Sequence, residues 1–599
     1  MPDLDETYRT RRASFEAQRK ATEHRALAVS WIRVAVALVA LVLAWFAFKV
    51  VIFWIGFLLA AIVFTWFVRE HARLESRRRL FENLTLINER ELQALTGDYT
   101  SFPDGAEFVD AHHPYTLDLD IFGGGSLFQR FNRTCTEQGK ERLAAILSSP
   151  LSSIPLIKER RAVVAELSEK LDFRQEFQAI GMASAERTSD QQQILEWLSL
   201  PDIMFGNKRR QWMLVALPAA ALLALLYWVV TGAPGLLIVV VLAQWAVVGS
   251  FAKRTMQIQD DLGKKRYLLE KFAAHFELLG RQRFTSPLAK QMNSESQQAR
   301  DEIARLVTRL RALDLRLNLF AGILLNSLVL YDLLCIYRLE QWRHRNRHRM
   351  KNWFDTIAEA DAFNSLAAYA YNHPEFTWPE LTEAWKLEGE HVGHPLIRKE
   401  ECVRNDLRMD AASSLWIITG ANMAGKSTFL RCIGINVVLA LTGSVVCAER
   451  FTCPVLEVYS GMRNTDSIAD HQSYFYAELY RLQGIVRRLE EKRRMLILLD
   501  EILKGTNSTD KLSGSQSLVS RLVKYPCFVL IATHDVALGD MERDHPAIRN
   551  YHFESRIEQG ELRFDYLLRE GVSTSKNATF LMQKMGIIPS GSLLDEETL

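Results

Sequence analysis

The fold of the last third of the chain is decided by the stretch Gly420-Ala421-Asn422-Met423-Ala424-Gly425-Lys426-Ser427. It matches the pattern G-x-x-x-x-G-K-[ST], in which glycines let the backbone turn its N–H groups toward phosphate oxygens at a helix N-terminus. Residues 415–418 before it are apolar and predict a buried strand, and residues 428–433 after it predict a helix. The pattern and its surroundings predict a nucleotide-binding α/β domain.

The polar side chains of this loop have separate predicted roles. Lys426 would reach the β- and γ-phosphates of ATP, and Ser427 would hold Mg²⁺. Thr428, the first residue of the predicted helix, completes the cofactor-binding set that the loop begins. ATP and Mg²⁺ are therefore the cofactors that the sequence predicts.

Two further apolar runs end in polar residues that suit the same chemistry. Residues 495–499 end in Asp500 and Glu501, and residues 528–532 end in Thr533 and His534. We predict that Asp500 binds the Mg²⁺ shell, that Glu501 polarises the attacking water, and that His534 senses the γ-phosphate. Each group alone is also compatible with a solvated strand end or a structural histidine. Together with Lys426 they form the predicted catalytic and metal-binding set.

Two long apolar segments lie upstream, at residues 31–68 and 212–252. A helix that crosses the hydrocarbon needs about 20 apolar residues at about 1.5 Å each, so each segment is roughly two spans long. Lys49 interrupts the first segment, and Gly232 and Pro234 interrupt the second. Each segment therefore predicts a transmembrane helical hairpin, although buried helices of a large soluble core are the alternative.

The residues that flank the two segments are basic on all four sides. They are Arg9, Arg11, Arg12, Arg19, Lys20 and Arg25, then Arg69, Arg73, Arg77, Arg78 and Arg79, and then Lys208, Arg209, Arg210, Lys253 and Arg254. Positive charge stays on the cytoplasmic side of membranes. The sequence thus predicts a multi-pass protein of the cell (inner) membrane with four spans and a cytoplasmic nucleotide domain.

A third apolar stretch, residues 317–337, contains Asn318, Asn326 and Asp332, which are costly in lipid. A fifth span would also place the nucleotide domain outside the cell. We predict a soluble core helix here, and membrane association is the alternative.

Composition excludes little else. The 599 residues carry a formal net charge of +2, which argues neither for nor against nucleic acid. Seven cysteines without a Cys-x-x-Cys pair predict neither a disulfide framework nor a zinc site, and they favour a reduced compartment. We expect no cleavable signal peptide, because the first thirty residues are polar and contain several acids.

Residues 419–431 resemble the phosphate loop of the MutS mismatch-repair ATPases, whose "NMxGKST" is narrower than the general pattern. Asp500-Glu501 with Gly505-Thr506, then Thr533-His534, follow in the order of that family, and residues 466–478 resemble its signature loop. Residues 393–396, 403–406, 126–151 and 353–374 resemble its domain entry and core. The resemblance implies a homodimer with composite sites, in which Ser473 reaches the γ-phosphate bound by the partner. A simple loop cap is the other interpretation of Ser473.

The sequence also departs from that family. We find no mismatch-reading domain with a Phe-x-Glu wedge, and the region of the DNA clamp is short. His471-Gln472 and Leu503-Lys504 each replace a Gly-Arg pair at the expected dimer face. Recognition of a mispaired base therefore does not follow from the resemblance.

The predicted fold class is a multidomain chain with a helical N-terminal two-thirds and a C-terminal P-loop α/β ATPase domain. The predicted segments are residues 1–100, 101–204, 205–255, 256–375 and 376–599, with the membrane hairpins in the first and third. The first functional hypothesis is a membrane-tethered ATPase with ATP-dependent DNA binding, for which mismatched or branched DNA is the candidate target. Its candidate basic faces are Arg305, Arg309, Arg311 and Arg316, and Arg343, Arg345, Arg347, Arg349 and Lys351.

The alternative is a nucleotide-switched membrane protein that acts on an unknown protein partner and binds no DNA. A transporter ATPase fused to its spans is weaker, because four spans with short turns offer little pathway.

Overall fold

The computed structural model describes residues 3–183, 188–263, 265–463, 474–503, 507–558, 561–573 and 587. The helices of the first two-thirds are α1 Leu4–Ala47, α2 Phe53–Leu95, α3 Leu127–Phe131, α4 Glu137–Ser148, α5 Ile154–Ser168, α6 Leu171–Gly181, α7 Thr188–Ser199, α8 Lys208–Thr231, α9 Gly235–Ile258, α10 Arg266–Arg281, α11 Pro287–Asp314, α12 Leu319–Val329, α13 Tyr331–Asn346 and α14 Met350–Asn372. The C-terminal part adds α15 Lys426–Thr442, α16 Tyr474–Glu490 and α17 Ser508–Leu522.

Among the described residues, the strands all lie after residue 379. They are β1 Glu380–Leu381, β2 Lys386–Val392, β3 Asn405–Asp410, β4 Leu415–Thr419, β5 Arg450–Cys453, β6 Glu457–Gly461, β7 Met495–Asp500, β8 Cys527–Ala532, β9 Ile548–Glu558 and β10 Glu561–Glu570. The predicted fold class is confirmed at this level, with a helical N-terminal part and a C-terminal α/β sheet domain.

The chain folds into two compact units. The helical unit contains residues 1–96, 133–142 and 169–364, and the sheet unit contains residues 97–132, 143–168 and 365–599.

Within the helical unit, α1 and α2 are 44 and 43 residues long and pack along each other. In their apolar halves, Gly56 of α2 lies against Leu43 of α1. In their polar halves, Phe15 stacks on Phe81 with ring centroids 6.5 Å apart. Both helices continue without interruption from the apolar half into the polar half. We call the pair of polar halves, residues 4–30 and 69–95, the stem.

The far end of the stem is fixed to α6. Leu84 and Ile87 form a buried cluster with Ala179. The Asn83 Nδ2 donates to the Ala179 carbonyl at 2.9 Å, and Asn88 Nδ2 donates to Gln175 Oε1 at 3.2 Å. Apolar packing and buried hydrogen bonds therefore hold the stem against the helical core.

Both predicted apolar segments form pairs of helices with breaks where the sequence predicts them. The first break, between Ala47 and Phe53, contains Lys49, and the second, between Thr231 and Gly235, contains Gly232 and Pro234. Among the described residues, α1, α2, α8 and α9 are the four helices long and apolar enough to cross a membrane. At most 11% of the apolar window of each is buried by the rest of the chain.

The stretch 317–337 does not form the single core helix that the sequence predicts. It is divided at Leu330, which has a left-handed φ of 51°, into α12 and the start of α13. The start of α13 is buried, but α12 leaves Phe320 86% and Leu324 60% exposed. The prediction is therefore wrong for the first half, because an apolar sequence does not say whether the rest of the chain covers it.

The sheet unit is built around a six-stranded sheet with the order β10-β9-β4-β8-β7-β6. Strands β9, β4, β8, β7 and β6 are parallel, and β10 pairs antiparallel with β9 at one edge. Residues of β4 and β8 are all buried, as expected for central strands covered on both faces. A smaller sheet has the order β1-β5-β2-β3.

Candidate functional site

The carboxyl ends of three neighbouring strands meet at one edge of the large sheet. Ile418 of β4 and Asp500 of β7 both have Ala532 of β8 as their register partner. The Thr533 N–H donates to the Ile418 carbonyl at 3.0 Å, and the Glu501 N–H donates to the Ala532 carbonyl at 2.8 Å. The three sequence runs that predicted polar strand ends are thus brought together at the edge where open α/β sheets place ligands.

The loop after β4 needs glycine at two positions. Gly420 has a φ of 144°, and a Cβ there would lie 2.8 Å from the Phe553 carbonyl oxygen. Gly425 has a φ of 102° and is the N-cap of α15. Both values fall in the region that favours glycine. Gly425 also brings no side-chain acceptor to the first-turn amides of α15, which remain available to an anion.

Lys426 is folded back onto this loop. Its side chain is buried, with 6% of the residue exposed, and its Nζ donates to the carbonyls of Gly420 at 2.7 Å and Ala421 at 2.9 Å. Burial lowers the pKa of the Lys426 ammonium, and the carboxylates of Asp500 and Glu501 act in the opposite direction. The ammonium group is therefore held among main-chain oxygens, close to the two acids.

Glu501 and His534 form a pair at the ends of β7 and β8. The Glu501 Oε1 lies 2.8 Å from the His534 Nδ1. Glu501 has a left-handed φ of 60°, which is strained for a residue with a side chain. Its backbone is held there by the hydrogen bond to Ala532. Such strain is typical of functional positions, where surrounding structure maintains it.

The remaining predicted site residues line one cavity of about 520 Å³ with Lys426 and the two acids. They are Ala421, Asn422, Met423, Ala424, Gly425, Ser427 and Thr428, followed by Asp500 and Glu501. Ser427 and Thr428 belong to the first turn of α15. Ser473 lies outside the described residues, as do Gly505-Thr506 and residues 464–473 of the predicted signature loop. Their predicted roles stay predictions.

The rest of the cavity wall contains residues that the sequence did not identify as a site. They include Val392, Ile397, Val403, Asn405, Phe553 and Tyr566. These residues come from β2, β3, β9, β10 and the β2–β3 connection, which only the folded sheets bring near the loop. The only sequence signal for part of this wall was the resemblance of residues 393–396 and 403–406 to the family's domain entry.

Among these residues, Tyr566 has a backbone position that is fixed by hydrogen bonds from another strand. It lies at an irregularity of the β9–β10 ladder between Phe564 and Leu568, with a φ of 56°. Asn405 fixes this backbone, because its Nδ2 donates to the Tyr566 carbonyl at 3.0 Å and its Oδ1 accepts from the Leu568 N–H at 2.8 Å. A Cβ at Gly425 would lie 3.0 Å from the Tyr566 ring. The ring therefore lies beside the start of α15.

His394 lies in the same wall and is a neutral ring at physiological pH. Burial, together with the nearby Arg431 and Arg130, lowers the pKa of His394 to about 4. The Nδ1 accepts from the Leu396 N–H at 3.2 Å. The His394 ring therefore adds no charge to the cavity wall, which also contains Glu401.

Glu478 of α16 holds the segment that follows the two acids. Its Oε1 accepts from the Leu503 N–H at 2.6 Å, and only 9% of the residue is exposed. Leu503 has a left-handed φ of 60°. The sequence placed Glu478 in the family's signature loop without a role, and the structure gives it one in positioning the chain beyond Glu501.

The donor set fits a nucleotide triphosphate with a magnesium ion. An ammonium group and the first turn of a glycine-capped helix are donors for phosphate oxygens. A serine hydroxyl and a carboxylate, from Ser427 and Asp500, are the oxygen ligands that Mg²⁺ takes from P-loop sites. The carbonyl contacts of Lys426 satisfy the ammonium within the loop.

Comparison with known proteins identifies the same regions. The chain matches the family model for MutS domain III over residues 116–367 and the model for MutS domain V over residues 416–594. It is 32% identical to the DNA mismatch repair protein MutS of Thermotoga maritima over 224 residues, which are 37% of this chain and 28% of that protein. It is 33% identical to the MutS of Persephonella marina over 236 residues, 39% of this chain and 27% of that protein.

The MutS of Thermus thermophilus is 32% identical over 233 residues, 39% of this chain and 28% of that protein. The chain therefore spans little more than a quarter of the length of the curated relatives that it matches. The two matched domains and the strand-end geometry agree with the resemblance of residues 419–431. On this evidence, the chain belongs to the MutS family.

Proposed function

We propose that this protein is a membrane-tethered ATPase of the MutS type. The observation that carries the proposal is the buried Lys426 ammonium, which lies on the carbonyls of its own glycine loop beside Asp500 and the Glu501–His534 pair. These groups lie where phosphate binding, metal binding and activation of water would each be needed.

Each residue has a definite part in this proposal. Lys426 and the first-turn amides of α15 bind the β- and γ-phosphates, and Ser427 and Asp500 hold the magnesium ion. When bound, that ion neutralises charge on the phosphate oxygens. Glu501 orients and deprotonates the attacking water, and His534 holds the Glu501 carboxylate in place through the 2.8 Å contact. The cavity wall near His394 and Tyr566 accommodates the base.

The test is ATP binding and turnover by purified protein in detergent or lipid nanodiscs. Lys426→Ala should lower ATP affinity and turnover by about a hundredfold or more, because a buried charged donor to the phosphates is lost. Lys524→Ala, which removes an exposed lysine of the same unit, is the matched control and should change neither. Unchanged turnover in Lys426→Ala would remove the site assignment.

The membrane part of the proposal rests on exposed apolar surface. Along α8 and α9, Leu223, Val230 and Leu242 are 67%, 84% and 64% exposed, and basic residues flank both helix pairs. Such surface in four helices requires an apolar cover, and a bilayer provides one. We therefore place the protein in the inner membrane, with the turns at Lys49 and Gly232 outside and the ATPase domain in the cytoplasm.

Residue-specific labelling of intact cells tests this topology. Ala233→Cys should react with a membrane-impermeant maleimide from outside, whereas Lys524→Cys should react only after lysis. Labelling of both cysteines, or of Lys524→Cys alone, in intact cells would reject the orientation. The native cysteines are measured in parallel with the unchanged chain.

ATP-dependent DNA binding is the first proposal for what the ATPase acts on, and the relatives are named as mismatch-repair proteins. Several of the candidate basic residues are, however, engaged within the chain. Arg305 pairs with Glu302, Arg311 with Glu270 at 2.9 Å, and Arg316 with Asp332 at 3.2 Å. Arg343 is buried and pairs with Asp202. The exposed members that remain for phosphate contact are Arg345, Arg347, Arg349 and Lys351.

These internal pairs favour a second candidate, a nucleotide-switched membrane protein that acts on a protein partner. Binding to plain, mismatched and branched duplexes across a salt series, with and without ATP, decides between the two. A DNA clamp should show a steep salt slope that decreases in the double variant Arg345→Glu with Arg349→Glu. Absence of binding at low salt, with ATP turnover intact, would reject DNA and leave the second candidate.

The family likeness also implies a homodimer, which we include in the proposal. Mass measurement in nanodiscs, with and without ATP, should give two copies in the ATP state. A single copy under every nucleotide condition would contradict it.

A further inference from the structure

Helix α12 presents a continuous apolar stripe to its surroundings. Within it, Phe320, Ile323 and Leu324 are 86%, 46% and 60% exposed. Because Phe320 is three and four residues from the other two, the three side chains lie on one side of the helix. In water, such a stripe of large side chains would be unfavourable in proportion to its exposed apolar area.

The polar residues of this region are satisfied within the protein. Asn318 caps α12 by accepting from the Ala321 N–H at 3.2 Å. Asn326, which is 4% exposed, donates through Nδ2 to Asp332 Oδ1 at 3.1 Å, and Asp332 also pairs with Arg316 at 3.2 Å. Asn326 and Asp332 are therefore turned inward and paired, and Asn318 caps the helix from an exposed position. Polar groups at membrane depth are tolerated when protein surrounds them in this way.

The neighbours of α12 are the two helices of the second hairpin. It packs against both α8 and α9. The Trp245 Nε1 of α9 donates to the Ser327 Oγ of α12 at 3.0 Å. Trp245 lies eight residues before Lys253, the first basic residue after the apolar segment. At about 1.5 Å per residue, Trp245 is about 12 Å along the helix from that basic end.

This contact gives the depth of α12. Half of a hydrocarbon core of about 30 Å is about 15 Å, so a point about 12 Å from the basic flank lies inside the cytoplasmic leaflet. Helix α12 is 11 residues long, or about 16 Å, which is the length of one leaflet and not of a full span. The preceding helix α11 meets it at an angle of 108°, and the chain turns back at Leu330 into α13.

We infer that α12 is a re-entrant half-helix, inserted into the cytoplasmic leaflet beside the second hairpin, with its stripe of Phe320, Ile323 and Leu324 covered by lipid acyl chains. The inference rests on the proposed membrane insertion of α8 and α9. Acyl chains are the occupant because the stripe continues the exposed apolar surface of that hairpin at the same depth. The second hairpin would then be a three-helix group in the inner leaflet and a two-helix group in the outer leaflet.

Site-specific photocrosslinking in proteoliposomes tests this placement. The photoreactive residue p-benzoylphenylalanine is introduced at position 320 or 324, and the vesicles contain a phospholipid with a tagged acyl chain. Position 223 on the exposed face of α8 is the control for the hairpin. Position 480, a tyrosine that is 70% exposed on α16, is the control outside the membrane. ATP turnover of each variant confirms that it is folded.

The expected result is a lipid adduct at positions 320 and 324 comparable with that at 223, and no adduct at 480 above the level without light. An adduct at 223 but not at 320 or 324 would overturn the inference and leave the hairpin intact. Crosslinking of position 320 to a second copy of the chain, seen as a doubled mass without lipid, would also overturn it. Loss of lipid adducts at 223, 320 and 324 together would reject the proposed hairpin as well.

Discussion

Strand β7 and helix α9 both consist mainly of large apolar residues, yet they lie in opposite surroundings. Five of the six residues of β7 are buried between the helices that cover the sheet. In the apolar window of α9 only 11% is buried. The sheet unit buries the apolar residues of β7 within its own fold. The helical unit, in contrast, leaves the similar apolar residues of α9 exposed. Burial, and not composition, therefore separates a core element from an element whose apolar surface the chain leaves exposed.

The largest expected effect tests whether β7 and α9 contribute differently to stability. Leu498→Ser in β7 removes a fully buried side chain and should lower the free energy of unfolding by about 3–5 kcal/mol. Leu242→Ser in α9 removes an exposed one and should change it by less than about 0.5 kcal/mol in detergent. Thermal unfolding followed by loss of ATP turnover measures both variants. Equal destabilisation would show that the two regions are not different in kind.

The next prediction concerns the polar edge of the buried region. Glu501→Gln should keep ATP binding but lower the turnover rate by about 10²–10⁴-fold, because the group that activates water is lost. The amide can still accept a hydrogen bond, so His534 should stay in place. Glu491→Gln, at an exposed glutamate after α16, is the control. Rapid hydrolysis by Glu501→Gln, measured in a single turnover, would remove its proposed role.

The helical unit also has a buried core that contains His275. The effect of this histidine on stability can be tested by changing the pH. Burial and the nearby Lys271 lower the pKa of His275 to about 3, below its ordinary value of 6.5. The folded state therefore keeps this ring neutral while the unfolded state takes up a proton, so stability is lost as the pH falls below about 6.5. The loss from this group is at most about 1.4 kcal/mol per pH unit.

Chemical unfolding of the helical unit between pH 7 and pH 5 measures that slope. His275→Phe keeps a ring against Phe177, whose centroid lies 4.2 Å away, but removes the titrating group. The slope should be shallower in the variant, whatever its constant offset. An unchanged slope would show that other groups set the pH dependence.

The smallest expected effect concerns a hydrogen bond between α9 and α12. The hydrogen bond from Trp245 to Ser327 should contribute about 0.5–1.5 kcal/mol in nanodiscs. A double-mutant cycle with Trp245→Phe and Ser327→Ala measures it as a coupling energy. Ser250→Ala, which removes a local bond within α9, is the control and should not couple to Trp245→Phe.

Much of this architecture could be predicted because it depends on residues that are close together in the sequence. The loop Gly420–Ser427, the strand runs that end in Asp500 and His534, and the paired helices with breaks near Lys49 and Gly232 each depend on short stretches of chain. The helical and α/β parts follow from the same signals. In each case the residues that define the element are neighbours in sequence.

The remainder depends on contacts between distant residues. The cavity wall at Asn405 and Tyr566 forms only when β3 and β10 come together. The hydrogen bonds of the Asn405 side chain that join them cannot be predicted from a local sequence pattern. The left-handed conformation of Leu330 lies in an apolar run without a turn residue, so the break between α12 and α13 was missed. The ion pairs of the candidate basic faces are also not visible in local sequence, since Arg311 pairs with Glu270 of α10 and Arg343 pairs with Asp202 of the α7–α8 connection.

The stem has a mechanical consequence. Helix α1 of 44 residues is about 66 Å long, and under the proposed membrane insertion a crossing of about 30 Å would leave roughly 35 Å of paired helix beyond the bilayer. Because α1 and α2 continue unbroken, a tilt of about 10° within the membrane would displace the far end by roughly 6 Å over that lever arm. That end is bonded to α6 through Asn83 and Asn88. A change in bilayer thickness, which tilts helices, would therefore be felt as a displacement within the helical core.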